Sequence, residues 1–175
     1  PTGFALKTRY SELSYLVTEA LAGTTDPLLR MELERLARDS TNPLVRATAM
    51  LSLSYNRDER DLTIIFDGLR DENSTARFGA MEAVDSGRFR AATPYLVQIA
   101  NLDPVPAFRV YAMHLLSKFG DPTGRQILLT FISNPDWPAR AMTFWYLGRY
   151  GNEDDYSLIL SRLPYEENEF VQAEL

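Results

Sequence analysis

One five-residue pattern recurs along this chain at nearly constant spacing, and that recurrence limits the fold more than any other feature. Arg46-Ala47-Thr48-Ala49-Met50 returns as Arg77-Phe78-Gly79-Ala80-Met81 and as Arg109-Val110-Tyr111-Ala112-Met113. It returns again as Arg140-Ala141-Met142-Thr143-Phe144. The arginines are 31, 32 and 31 residues apart, and seven positions after each stands Leu53, Val84, Leu116 or Leu147. One more step of 32 lands on Gln172, in a segment that echoes Glu72–Arg77. A fixed period of this size signals one supersecondary unit reused, each copy burying its core against its neighbours.

The punctuation between these segments is helical. Asp26-Pro27, Asn42-Pro43, Thr93-Pro94, Asp103-Pro104, Asp121-Pro122 and Asn134-Pro135 each place a capping side chain before a proline. The side chain satisfies free N–H groups of a first turn, and proline there lacks only an N–H that has no partner. Gly87, Gly120 and Gly151 fall where helix C-termini want a left-handed residue. Helices are expected near 9–22, 27–39, 43–55, 59–70, 74–86, 92–101, 105–119, 123–132, 136–150 and 154–163, with a last one from 166. No stretch alternates with period two between turn signals, so no strand is expected.

The chain therefore reads as all-α, an α-α superhelix of about five helix pairs. Residues 1–41 form a degenerate first pair, 42–163 hold four repeats of 31–32 residues, and 164–175 begin a truncated fifth. Asn42-Pro43-Leu44-Val45-Arg46-Ala47-Thr48-Ala49 carries a family likeness. It resembles HEAT repeats, in particular the short HEAT-like repeats of bacterial proteins, some named after phycobilin lyases. The resemblance implies an α-solenoid that serves as a protein-interaction scaffold or adaptor. The alternative it implies is an enzyme or enzyme subunit of the bilin lyase or DNA glycosylase type.

Helical phase gives the recurring arginine a role. At about 100° per residue, Arg46, Arg77, Arg109 and Arg140 fall inside the arc of small and apolar positions. A charge there must be paired, and turn carboxylates such as Asp71, Asp103 and Asp136 are the candidates. The resemblance implies that such arginines brace successive repeats.

Composition narrows the chemistry. There is no cysteine, so disulfides, thiolate nucleophiles and Cys-ligated metals are excluded. His114 is the only histidine, which removes most other metal sites and the usual general base. It is read as a surface or packing residue. Glu153, Asp154 and Asp155 are read as favourable charges on a helix N-terminus. Net charge is −6, with Arg outnumbering Lys 16 to 2, which argues against nucleic acid. The Arg88-Phe89-Arg90 turn is the one basic, aromatic-containing corner. Asp136, Trp137 and Arg140 are the residues a glycosylase-like site would draw on. No apolar run approaches the ~18 residues of a membrane helix, and a soluble chain that needs no cofactor is expected.

The partner-facing residues follow from the same phase. Leu51, Tyr55, Phe78, Val110, Tyr111 and Trp145, with His114 beside them, lie opposite the apolar arc, where a simple amphipathic helix is polar. Successive repeats would align them into an outer stripe for a protein partner or a neighbouring domain, with Trp145 as anchor. Phe170, Val171 and Leu175, in the fifth unit, are expected to be short of contacts and available for self-association.

Overall fold

A computed structural model describes residues 20–173. Helices α1 (Pro27–Asp39), α2 (Pro43–Ser54), α3 (Leu62–Gly68) and α4 (Ser74–Gly87) form the first of two compact units, residues 1–92. The second, residues 93–175, holds α5 (Thr93–Leu102), α6 (Pro106–Lys118), α7 (Pro122–Thr130), α8 (Trp137–Tyr150), α9 (Glu153–Arg162) and α10 (Glu169–Gln172). Short 3₁₀ turns stand at 59–61, 90–92, 131–133 and 163–165. Among the described residues there is no strand. The expected helix over 9–22 lies almost wholly outside the described residues.

Within each unit the packing follows the repeat. In the first, α2 lies against α1 and α4, while α3 packs on α1, α2 and α4. In the second, α6 lies against α5, α7 and α8, and α8 against α9 and α10. Helices carrying the recurrent motif thus neighbour one another, and their partners close the other side. Ala49, Leu53, Ala80, Val84, Ala112, Leu116 and Leu147, all at motif positions, are buried. These small and branched side chains let helix backbones approach closely. At Gly79 the approach is so tight that an added Cβ would lie 2.3 Å from Ala47 Cβ.

Three of the six expected proline caps form as anticipated: Asp26, Asn42 and Asp121 accept N–H groups of the first turn, with Pro27, Pro43 and Pro122 at its start. The other three do not. Thr93 is already helical, following the 3₁₀ turn at 90–92. Asp103 and Asn134 instead accept N–H groups two residues on, from Val105 and Asp136, and their helices start later, at Pro106 and Trp137. These are side-chain-closed turns, a conformation open to the same Asp and Asn residues that cap helices. Gly87 also departs from expectation. Arg88 adopts the left-handed conformation (φ 56°), while Gly87 stays helical, and a Cβ there would meet the Phe89 ring at 2.2 Å. Gly120 does take positive φ.

Candidate functional site

At Arg46 and Arg140 the recurrent arginine closes its turn from two directions. Arg46 holds Asp71 through Nε and Nη2 at 2.8 and 2.9 Å, while its Nη1 donates to the Ser40 carbonyl at 2.7 Å. Arg140 repeats the arrangement with Glu166, both bonds at 2.8 Å, and donates to the Asn134 carbonyl at 2.7 Å. Arg77 donates to the Asp71 carbonyl, so Asp71 is bound by its side chain from one repeat and by its backbone from the next. The carboxylate also accepts the Asn73 N–H.

Burial pushes the Asp71 carboxyl upward, but the bonds from Arg46 and Asn73 outweigh it and hold the pKa below its usual value. At Glu166 the hydrogen bond from Arg140 dominates, with the same downward direction. Asp136 is not the partner of Arg140. It occupies the N-cap position of α8 without a side-chain cap bond, and its backbone carbonyl accepts the Arg140 N–H.

Arg109 differs. The residue 25 positions on is Asn134, which offers no carboxylate. Arg109 instead donates from Nε to the Ala100 carbonyl at 3.1 Å and lies over the Phe131 ring, 4.9 Å from its centroid. The recurring motif alone makes the four arginines alike, and the difference lies in the residue one unit ahead.

A second set of braces joins the other helices. Arg30 on α1 donates to Asp61 at 2.8 Å, 31 residues later, and Arg125 on α7 to Asp155 at 2.6 Å, 30 residues later. Asp155 also completes a capping box with Asn152 at the start of α9. The acidic triplet 153–155 is therefore a helix start tied to the preceding repeat. Asp61 is buried, and its Oδ2 has no hydrogen-bond partner among the described residues. Burial raises its pKa against the opposing bond from Arg30. Pairs separated by one repeat length were the available signal for both braces.

The expected outer stripe is only partly exposed. Tyr55, Phe78 and Trp145 are exposed, and Leu51 is half-buried. Val110, Tyr111 and His114 are buried, which corrects their assignment to a partner-facing surface. The cause is α8, which packs on α6 and covers that arc with its own aromatics. His114 stacks on Tyr146 at 4.0 Å between ring centroids and meets Tyr150 at 4.7 Å, with Tyr111 stacked farther out. His114 is thus a packing residue.

What remains accessible is the outer part of this aromatic cluster. Trp145 (43% exposed) meets Tyr146 edge-on at 4.9 Å, and Tyr150 (58% exposed) flanks both. The Arg149 guanidinium lies 5.7 Å from the Trp145 ring and 5.8 Å from that of Tyr150. Beside Trp145 is a recess of about 160 Å³ lined by Ala141, Met142, Trp145 and Tyr146. Gly148, on the same helix, is exposed and has no heavy atom within 4 Å of where a Cβ would stand. Met142, Tyr146 and Tyr150 were missed as surface-forming residues because phase within one helix does not show which arc a neighbouring helix covers.

The fifth unit is partly covered. Val171 is fully buried, contrary to expectation, because α10 packs on α8. Phe170 is largely exposed and stacks on Trp137 at 5.4 Å. Leu175 lies outside the described residues. In the Arg88-Phe89-Arg90 corner the aromatic is buried. Trp137 stacks on Phe170 and Arg140 pairs with Glu166, while Asp136 stands at the N-cap position of α8 without a side-chain cap bond. Among the described residues no three His, Asp or Glu side chains are grouped to hold a metal ion, and no helix is long and apolar enough to cross a membrane.

Helices paired at a fixed period, locked by arginine–carboxylate pairs one unit apart, define an all-α helical-repeat protein. Residues 93–175 match the family model for HEAT repeats. The first unit carries the same motif, spacing and brace. No curated protein matches the chain.

Proposed function

We propose that this protein is a non-enzymatic interaction scaffold that docks a protein partner on the α8 surface centred on Trp145. HEAT repeats typically serve as helical scaffolds for protein interactions. The observation that carries the assignment to α8 is the half-exposed Trp145 beside an apolar recess, held in place by Tyr146 and Tyr150. Large aromatic side chains fixed by their neighbours contribute much area at small entropic cost, which is why they dominate binding energy at interfaces. Arg46 and Arg140 spend their guanidinium groups on Asp71 and Glu166, which supports a bracing role for them.

A display library of peptides tiled across a proteome tests the reading. Selected segments should bind the wild-type chain and lose about tenfold or more in affinity to Trp145→Ala, given a loss of ~2 kcal/mol for an anchor residue. Selected segments that bind Trp145→Ala equally well would overturn the α8 assignment. Tight binding of single-stranded DNA, or turnover of a substrate, would overturn the scaffold reading itself.

A further inference from the structure

A polar cleft of the second unit shares no lining residue with the Trp145 recess. Its volume is about 320 Å³, at the lower end of small-ligand sites. The lining includes Ile132 and Phe144, both buried, as an apolar floor, and the Arg140–Glu166 pair as one wall. That pair is internally neutralised. Arg140 spends Nε, Nη1 and one Nη2 hydrogen on Glu166 and the carbonyls of Asn134 and Pro135.

The rim differs chemically from the wall. Arg162, Tyr165 and Glu167 line the cleft and are exposed, and none makes a side-chain hydrogen bond or ion pair among the described residues. A free guanidinium and a free phenol are donors suited to a carboxylate. A free carboxylate one step away accepts an amide N–H. The floor takes a bulky apolar side chain. One chemical group presents all three features together: the last residue of a polypeptide, when that residue is large and apolar.

We infer that this cleft binds the C-terminal carboxylate of a partner polypeptide ending in a bulky apolar residue. Arg162 and Tyr165 hold the carboxylate, Glu167 takes the final amide N–H, and Ile132 and Phe144 receive the side chain. The site is separate from the Trp145 surface and does not depend on it.

Fluorescence polarisation with labelled hexapeptides tests the inference on the full chain. The probe is Gly-Ser-Gly-Ser-Gly-Phe with a free C-terminus. Its controls are the same peptide with a C-terminal amide, and one ending in alanine. The free acid should bind about tenfold more tightly than either control, a typical margin for a charge-assisted pair. Arg162→Glu, at an exposed position, should abolish that margin while far-ultraviolet circular dichroism and melting temperature stay unchanged. Trp145→Ala should leave probe binding intact, so that failure here is distinct from failure of the α8 reading. Equal binding of acid and amide would overturn carboxylate recognition. So would a margin that survives Arg162→Glu. Binding of N-acetylphenylalanine as tight as that of the hexapeptide would assign the cleft to small carboxylates and overturn the polypeptide terminus.

Discussion

Gln172 donates from Nε2 to the backbone carbonyl of Glu166 at 2.6 Å, six residues back. Arg46, Arg77 and Arg140 make the same six-residue reach to Ser40, Asp71 and Asn134. The fifth unit therefore keeps the local half of the brace with an amide. It lacks the guanidinium that binds a carboxylate one unit ahead. These two halves of one interaction have separate energetic consequences.

The forward half is expected to dominate. Arg46→Met removes both Asp71 bonds and leaves a part-buried carboxylate with the Asn73 N–H, so a loss of about 2–4 kcal/mol is expected. Arg109→Met removes one carbonyl bond and a ring contact, with an expected loss of about 1 kcal/mol. Urea unfolding of the two variants checks the order, with circular dichroism showing helix content retained in both. Equal losses would contradict the role given to the carboxylate.

Restoring the missing acid is the converse experiment. Asn134→Asp places a carboxylate 25 residues after Arg109, the offset at which Asp71 follows Arg46. The turn survives, since aspartate accepts the Asp136 N–H as asparagine does. An increase of about 0.5–1 kcal/mol in unfolding free energy is expected, and it should disappear in the Arg109→Met background.

Asp61 and Asp71 should respond to pH with opposite signs. The Asp71 pKa is lowered by folding, so its contribution is complete above its unfolded pKa and is lost as pH falls through the folded value. The Asp61 pKa is raised, so the folded state favours its protonated form, and stability is lost as pH rises through the folded value. Relative to wild type, Asp61→Asn should therefore gain stability as pH rises from about 3 toward neutrality. Asp71→Asn should lose stability relative to wild type as pH rises through the acid range toward the unfolded carboxyl value of about 4. Chemical denaturation at a series of pH values reads both slopes.

Two glycines of equivalent chemistry should also diverge. Gly79→Ala forces a Cβ within 2.6 Å of the Ala47 Cα, a backbone atom, so a loss of about 2 kcal/mol or more is expected. Gly148→Ala meets open space on an exposed helix and should gain about 0.5–1 kcal/mol. Melting curves separate them.

The class of fold was legible because the repeat multiplies weak local signals. Caps such as Asp26-Pro27 and the buried Ala80 and Ala112 positions recur in phase, and each copy supports the others. Asp103 and Asn134 were harder to place, since the same side chain closes a turn or caps a helix, and the following residues decide which. The surface was less legible still. Tyr111 and His114 have the helical phase of exposed residues, yet Tyr146 and Tyr150, more than thirty residues later, cover them. Which arc of a helix is covered depends on how neighbouring helices meet, which one helix does not encode. The Arg30–Asp61 and Arg125–Asp155 pairs were within reach of the sequence, because each spans about one unit.

Each turn residue, in addition, divides its two functions between two parts of itself. Any residue can lend Arg77 or Arg140 a backbone carbonyl, so that anchor survives side-chain change at Asp71 or Asn134. Only an acid can meet the guanidinium from the unit before with two oxygens and the opposite charge. A unit moved, duplicated or excised as a whole therefore retains its internal closure, while compatibility at the new seam rests on a single side chain. Asp71 and Glu166 make their units acceptable successors to any unit bearing the arginine. The unit that opens with Asn134 is a poorer successor until that one residue is exchanged.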